Sequence, residues 1–193
     1  MRISSFAFIV VAIPASLVAQ QQSGTAPANP ITTAFRTRTL GMQRNIAQAF
    51  DSIPESKFSY KPTSAQLSIG YIAQHLVSDN YFFCNNFGAM KGAQTAEDTT
   101  TADSLKAKWP KATLVSKLKA SLTFCENAFA QLDDAKLAEQ ITLTFGANSQ
   151  QRPRASMVLG HVIDLVDHYS QLANYMRLNN ILPPTAPRPK AGN

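Results

Sequence analysis

Several features that would point to a class of function are missing from this chain of 193 residues. Two cysteines are too few for a disulfide framework. The basic residues are scattered and form no block interleaved with aromatic residues, so the formal charge of +6 indicates a solvated surface, and we expect no nucleic-acid partner. The sequence contains no internal repeat and no alternation of strands with helices. Its 45% of hydrophobic residues nevertheless predicts a globular domain with a substantial core.

The N-terminus is typical of an export signal. Arg2 supplies the positive charge, Phe6 to Val18 form an apolar stretch, and Ala19 is a small residue after which a signal peptidase could cut. The apolar stretch is shorter than the roughly 20 residues of a membrane-spanning helix. We therefore predict a signal peptide at residues 1–19, a periplasmic or secreted mature protein, and no membrane contact after cleavage.

The remaining pattern predicts one all-α domain. We expect a flexible linker at residues 20–30, a four-helix bundle at residues 31–182 and a proline-rich tail at residues 183–193. Apolar periodicity predicts four long helices with long connections: Ile31–Ile53, a helix from the N-cap Ser68 to about Gly88, Ala112–Leu132 and Arg154–Leu178. Gln140 to Phe145 alternate like a strand, and we expect an extended crossover loop there rather than a sheet.

The last predicted helix carries polar residues on the face that should meet the core. At about 100° per residue, one face combines Met157, His161, Asp164, Leu165, His168, Leu172 and Tyr175. Two histidines and an aspartate are costly to bury unless they find partners. A metal ion is a partner that would satisfy them together.

Spacing restricts which of these residues could share an ion. Asp164 and His168 are four residues apart and therefore neighbours on a helix. His161 and His168 are separated by roughly 10.5 Å along the axis, which is far for one ion. We expect His168 to pair with Asp164 and His75 to approach from the second helix. The competing arrangement pairs His161 with Asp164.

The two cysteines leave two readings open. Cys84 and Cys125 could form one disulfide in an oxidising compartment, or they could be buried free thiols, since both lie among aromatic residues. Cys84 is a poor metal ligand, because nine residues separate it from His75 and turn it about 180° away. The same reasoning does not exclude Cys125.

Two stretches resemble a known family. FSYKPTSAQLSIGYIAQHLVSDNYFFCNNFG is similar to a Tyr-x-Pro loop followed by a helix with a central histidine, and HVIDLVDHYSQLANYMRLNNILPP is similar to the closing pattern of the same family. The family is the DinB-like superfamily, which includes the YfiT-type metal-dependent hydrolases. The resemblance implies an up-down-down-up four-helix bundle. It also implies a divalent metal held by one histidine of the second helix and a His-x-x-x-His pair of the last one.

Carried over by position, this ligand set falls on His75, Asp164 and His168, with Asp164 at the position of the first histidine of the family's His-x-x-x-His pair. Two histidines with one carboxylate suit Zn²⁺ or Ni²⁺. His161, Asp79 and Tyr71 are expected around these ligands, with Asn80 nearby.

Together with the predicted export signal, the resemblance implies an exported metal-dependent enzyme, either a hydrolase or a thiol-dependent transferase, that acts on a small molecule of unknown identity. A homodimer that pairs through a helical face is compatible with such a bundle. The alternative is a non-catalytic binding or structural bundle with a degenerate metal site.

Overall fold

The structure is a computed structural model that describes residues 28–187. The predicted signal peptide at residues 1–19, most of the predicted linker at 20–30 and the end of the predicted tail lie outside the described residues.

Within residues 28–187 the chain forms seven α-helices and one pair of strands. In chain order these are α1 (Pro30–Ser52), α2 (Ile69–Cys84), α3 (Ala96–Thr100), α4 (Asp103–Lys106), α5 (Lys111–Phe129), α6 (Asp134–Leu137), β1 (Gln140–Phe145), β2 (Asn148–Pro153) and α7 (Ala155–Leu178). The four long helices are the four that apolar periodicity predicts. Among the described helices, none is both long and apolar enough to cross a membrane.

Local chemistry sets the ends of these helices. Pro30 occupies the first turn of α1, where its missing N–H costs nothing. The helix therefore begins at the last residue of the predicted linker, one residue earlier than predicted. Ser68 caps α2 as predicted, because its hydroxyl accepts a hydrogen bond from the Tyr71 backbone N–H at 3.2 Å. The prediction that this helix reaches about Gly88 is wrong, since regular helix ends at Cys84 and the next residues form turns.

The long helices enclose a continuous apolar core. α1 and α2 each pack against both α5 and α7. The main core includes Ile46, Phe50, Ile72, Leu76, Leu118, Leu165 and Leu172, all fully buried. A second cluster lies towards the strands and includes Phe87, Phe129, Leu143, Met157 and Val158. Each residue of this kind that leaves water contributes about 1.5–3 kcal/mol, so the apolar faces that define the helices also hold them together.

Cys84 and Cys125 form a disulfide between α2 and α5 inside the second cluster. The interpretation of the two cysteines as buried free thiols is therefore wrong, and the disulfide interpretation is confirmed. The link closes a loop with a sequence separation of 41 residues, and links of this kind typically stabilise a domain by about 2–4 kcal/mol.

The expectation of a crossover loop at Gln140–Phe145 is also wrong. β1 pairs antiparallel with β2, from Gln140 opposite Pro153 to Phe145 opposite Asn148. Gly146 has a φ of 59°, which suits the first position of a two-residue hairpin turn. The sequence does not predict this hairpin, because β2 is exposed at every position and polar up to its final proline, and so shows no alternation.

The segment between α2 and α5 packs over the first turns of α2. α4 contacts α2. The two backbone segments approach so closely at Gly70 that a Cβ there would lie 2.2 Å from the Ala107 carbonyl oxygen. The buried ammonium of Lys106 holds the segment in place by donating to the Asp98 carbonyl at 3.0 Å and pairing with the Asp103 carboxylate at 2.8 Å. This packing shapes the surroundings of the residues that follow on α2.

Candidate metal centre

Four polar side chains meet where α2 faces α7. His75 and Asp79 lie one turn apart on α2, and Asp164 and His168 lie one turn apart on α7. One nitrogen or oxygen from each side chain lies within 4.8 Å of the others. We call these residues the four-residue site. The structure therefore brings together the three residues of the predicted ligand set and adds the carboxylate of Asp79.

Each helix contributes an imidazole beside a carboxylate. The His75 Nε2 lies 3.1 Å from the Asp79 Oδ2, and the His168 Nε2 lies 3.4 Å from the Asp164 Oδ1. The two imidazole rings are 4.8 Å apart between centroids and almost perpendicular, at 84°. Spacing of four residues on both helices produces this symmetry, because it places each pair on one face.

The four-residue site is open on one side. The His75 side chain is 34% exposed and that of Asp79 23%, whereas that of His168 is only 8% exposed. A small solute can therefore reach the α2 pair, while the α7 pair forms the floor.

Electrostatics at the four-residue site are dominated by two carboxylates in a partly buried place. Burial, then the negative charge of Asp164 and a hydrogen bond with it, raises the pKa of Asp79 to about 7. Burial would lower the pKa of His168, but the hydrogen bond to Asp164 and the charge of Asp164 outweigh it and raise that pKa above its ordinary value. Burial, followed by the positive charge of His168, lowers the pKa of His75. A proton on Asp79 therefore offsets the repulsion between the two carboxylates as pH falls through about 7.

Two other predicted residues fall in different places. Tyr71 lies one turn before His75, with 6.2 Å between the ring centroids, so it borders the four-residue site as expected. His161 is fully buried and lies apart from the site. The structure therefore pairs Asp164 with His168, and the competing pairing of Asp164 with His161 does not form.

His161 belongs to a second group, which we call the disulfide cluster: His161, Asn80, Cys84 and Cys125. The His161 Nε2 lies 2.9 Å from the Asn80 Oδ1 and 3.9 Å from the Cys84 Sγ. The Asn80 amide donates in turn to the Ser121 hydroxyl at 2.9 Å. Burial lowers the pKa of His161 to about 4, so the imidazole is neutral at pH 7. Because the sulfurs are joined to each other, neither cysteine serves as a ligand of the four-residue site.

Sequence reasoning underestimated Asp79, whose carboxylate lies among the donor atoms of the four-residue site. The sequence predicts Asp79 only as a neighbour of the candidate ligands, whereas its carboxylate lies 3.1 Å from the His75 imidazole and belongs to the group of donor atoms. The signal was available as spacing, because His75 and Asp79 repeat on α2 the i, i+4 relation of Asp164 and His168 on α7.

The chain belongs to the DinB superfamily, whose model matches residues 38–172. This confirms the resemblance inferred from the sequence. No curated protein matches the chain significantly.

Solved structures share the fold at low sequence identity. A DinB-like protein from Bacillus cereus ATCC 10987 aligns with a TM-score of 0.60 and 13% identity, covering 80% of this chain and 97% of that one. A DinB-like protein from Bacillus subtilis aligns with a TM-score of 0.58 and 17% identity, covering 80% and 99%. A mycothiol-dependent maleylpyruvate isomerase aligns with a TM-score of 0.57 and 12% identity over 73% of this chain, and the match spans 60% of that protein.

Proposed function

We propose that this chain is an exported metal-dependent enzyme that holds one divalent cation, zinc or nickel, between α2 and α7. The ligands are His75, Asp164 and His168, joined by Asp79. The observation that carries the proposal is the four-residue site itself, in which two imidazoles and two carboxylates offer donor atoms within 4.8 Å of one another. Nitrogen and carboxylate donors in this number suit zinc and nickel.

The negative charges of the four-residue site support the proposal that it binds a cation. Two carboxylates that approach each other in a partly buried place repel, and the pKa of Asp79 rises to about 7 as a result of burial and of Asp164. A divalent cation would offset both negative charges, whereas a single proton offsets one. The imidazoles suit the same ion, since the Nε2 atoms of His75 and His168 both lie beside the carboxylates.

The proposed chemistry is activation of a nucleophile. A bound divalent cation lowers the pKa of a thiol or a water molecule and holds it for attack. The open side at His75 gives a small substrate access, and the buried His168 and Asp164 hold the site from below. The similarity to a mycothiol-dependent isomerase supports a thiol transferase, and export supports a hydrolase that uses water.

A second candidate function is a non-catalytic bundle with a degenerate site. It is favoured by Asp164, which stands where the family pattern has a histidine. Metal content separates the two candidates, because the degenerate site would purify without a stoichiometric ion.

The wider setting of the protein is part of the proposal. The apolar stretch at Phe6 to Val18 supports export, and the disulfide between Cys84 and Cys125 supports an oxidising compartment. We also infer that the four long helices run up-down-down-up. No nucleic acid and no membrane takes part in the proposed reaction, and a homodimer remains a prediction.

The test is elemental analysis of mature protein purified without a histidine tag. We expect about one equivalent of zinc or nickel, lost in His75→Ala and in Asp164→Ala. The matched control is Asp167→Asn, which removes an exposed carboxylate from the same helix and should keep the metal. Absence of stoichiometric metal from the wild-type protein, after incubation with zinc and with nickel, would refute the proposal and favour the degenerate site.

A further inference from the structure

A cavity of about 710 Å³ lies beside the four-residue site. It is bounded by the loop before α2, the first turn of α2, the end of α4 and the start of α5. Tyr71 lines the cavity, and its ring centroid is 6.2 Å from that of His75, so one side chain separates the cavity from the candidate metal ligands. The volume lies in the range of roughly 300–1,000 Å³ that is usual for small-molecule sites.

The charged residues of this cavity are mainly basic. Lys61, Lys108 and Lys111 line it against the single acid Glu55, a net charge of +2. The Glu55 carboxylate is already engaged, because it accepts the Lys111 backbone N–H at 3.2 Å. The cavity therefore presents an excess of positive charge to a ligand.

The three ammonium groups differ in how free they are. The Lys111 Nζ donates to the carbonyl oxygens of Asp51 and Ile53 at 2.9 and 2.6 Å, which uses two of its three hydrogens. The Lys61 Nζ donates to the Ser64 carbonyl at 3.0 Å and keeps two. Lys108 is exposed, and its ammonium group has no hydrogen-bond or ion-pair partner among residues 28–187. Lys61 and Lys108 are thus available to bind an anion.

The rest of the lining is suited to an apolar body. Phe58 and Trp109 contribute aromatic rings, and Leu67 contributes an aliphatic side chain that is 37% exposed. Trp109 is held in place by the Lys117 ammonium, which lies 5.1 Å from its ring centroid. Aromatic walls with a few cations are typical of sites that bind an organic anion by burying its body and pairing its charge.

We propose that this cavity binds a small organic carboxylate, with its carboxylate towards Lys61 and Lys108 and its aromatic or apolar body against Trp109. The cavity binds this ligand whether or not a metal is present. Its role as the substrate pocket, which leads past Tyr71 to His75, rests on the proposed function.

Trp109 provides the readout, because it is the only tryptophan of the chain. Metal-free protein, prepared with EDTA, is titrated with 4-nitrobenzoate while its tryptophan fluorescence is recorded. The neutral 4-nitrobenzamide is titrated in parallel, with N-acetyltryptophanamide as the reference for absorption by either probe. We expect saturable quenching by the carboxylate and binding of the amide that is weaker by roughly fivefold, since each exposed charge pair contributes a small factor.

Two variants test the assignment of the cations. Lys61→Gln and Lys108→Gln should each weaken 4-nitrobenzoate binding by roughly two- to fivefold and leave 4-nitrobenzamide binding unchanged. Lys91→Gln removes an exposed lysine outside the cavity and should change neither. Quenching without saturation, equal binding of the two probes, or an equal effect of Lys91→Gln would overturn the proposal.

The His75→Ala variant separates this inference from the proposed function. It should bind 4-nitrobenzoate like the wild-type protein, because His75 does not line the cavity. If the wild-type protein binds metal but not the probe, the cavity proposal fails and the metal centre stands. If it binds the probe but no metal, the anion site stands and its role as a substrate pocket fails.

Discussion

Two histidines on one helix, seven residues apart, occupy opposite environments. His168 lies in the four-residue site beside Asp164, where its side chain keeps 8% of its surface exposed, and its pKa is raised above the ordinary value. His161 lies in the disulfide cluster, fully buried, and its pKa is lowered to about 4. The same side chain is therefore a candidate ligand in one place and a neutral core residue in the other.

The difference shows what decides the role of a polar residue on a buried face. His168 has a carboxylate neighbour on its own helix and a second imidazole across the interface with α2. His161 meets a neutral amide, aromatic rings and a disulfide. Charged neighbours attract a proton or a cation to His168 and Asp164, whereas neutral neighbours and burial keep His161 uncharged.

The largest expected effect is on metal binding, when each of the two histidines is replaced in turn. His168→Ala should abolish stoichiometric binding of zinc or nickel, because it removes a donor atom from the four-residue site. His161→Gln should leave the metal in place. Elemental analysis of both variants measures this, and loss of the metal in His161→Gln alone would reverse the comparison.

The next effect concerns the covalent link of the disulfide cluster. Replacing Cys84 and Cys125 together by serine should lower the free energy of unfolding by about 2–4 kcal/mol, because the loop that the disulfide closes is then free in the unfolded chain. Urea denaturation followed by circular dichroism measures the loss. Metal content should not change in the folded variant, and a variant that is as stable as the wild type would show that the link contributes little.

Proton competition should govern the four-residue site. Protons on Asp79, whose pKa is about 7, and on His168, whose pKa is raised, occupy the positions that a cation needs. Metal affinity should therefore fall as pH drops below about 7, by about tenfold per pH unit for each proton displaced. Calorimetric titrations in buffers of different ionisation enthalpy should detect proton release, and binding that does not vary between pH 8 and pH 5.5 would contradict this.

The smallest expected effect is a decrease in the free energy of unfolding at acid pH that is caused by His161 alone. Its folded pKa of about 4 lies below the unfolded value of 6.5, so the unfolded chain binds the proton more tightly between these values. The stability that neutral His161 contributes is present above pH 6.5 and is lost as pH falls towards 4. The difference in unfolding free energy between wild type and His161→Gln should shrink by about 1 kcal/mol or more from pH 7 to pH 5.

This difference isolates His161, because other titrating groups are shared by the two proteins. Asp79 and His168 shift the other way: their folded pKa values are raised, so their contributions are present at low pH and are lost as pH rises through those values. A difference that is constant between pH 7 and pH 5 would show that His161 is not held neutral by burial.

Much of the fold was predictable, because apolar periodicity is a local property. The four long helices follow from it, and the Ser68 cap follows from the residue type alone. The hairpin of β1 and β2 was not predictable in the same way, since an exposed strand such as β2 is stabilised by pairing and leaves no pattern in its own residues.

For the candidate site, helical spacing alone determined that Asp164 and His168 are neighbours and that His161 lies far from His168 along α7, while the tertiary structure decided which histidine pairs with Asp164. The sequence also predicts that His75 comes from α2, but the position of Asp79 among the donor atoms depended on how α2 and α7 face each other. The disulfide and the cavity beside Tyr71 are also decided only by the tertiary structure. Spacing within a helix is set by its geometry, whereas contacts between helices are set by the packing of the whole core.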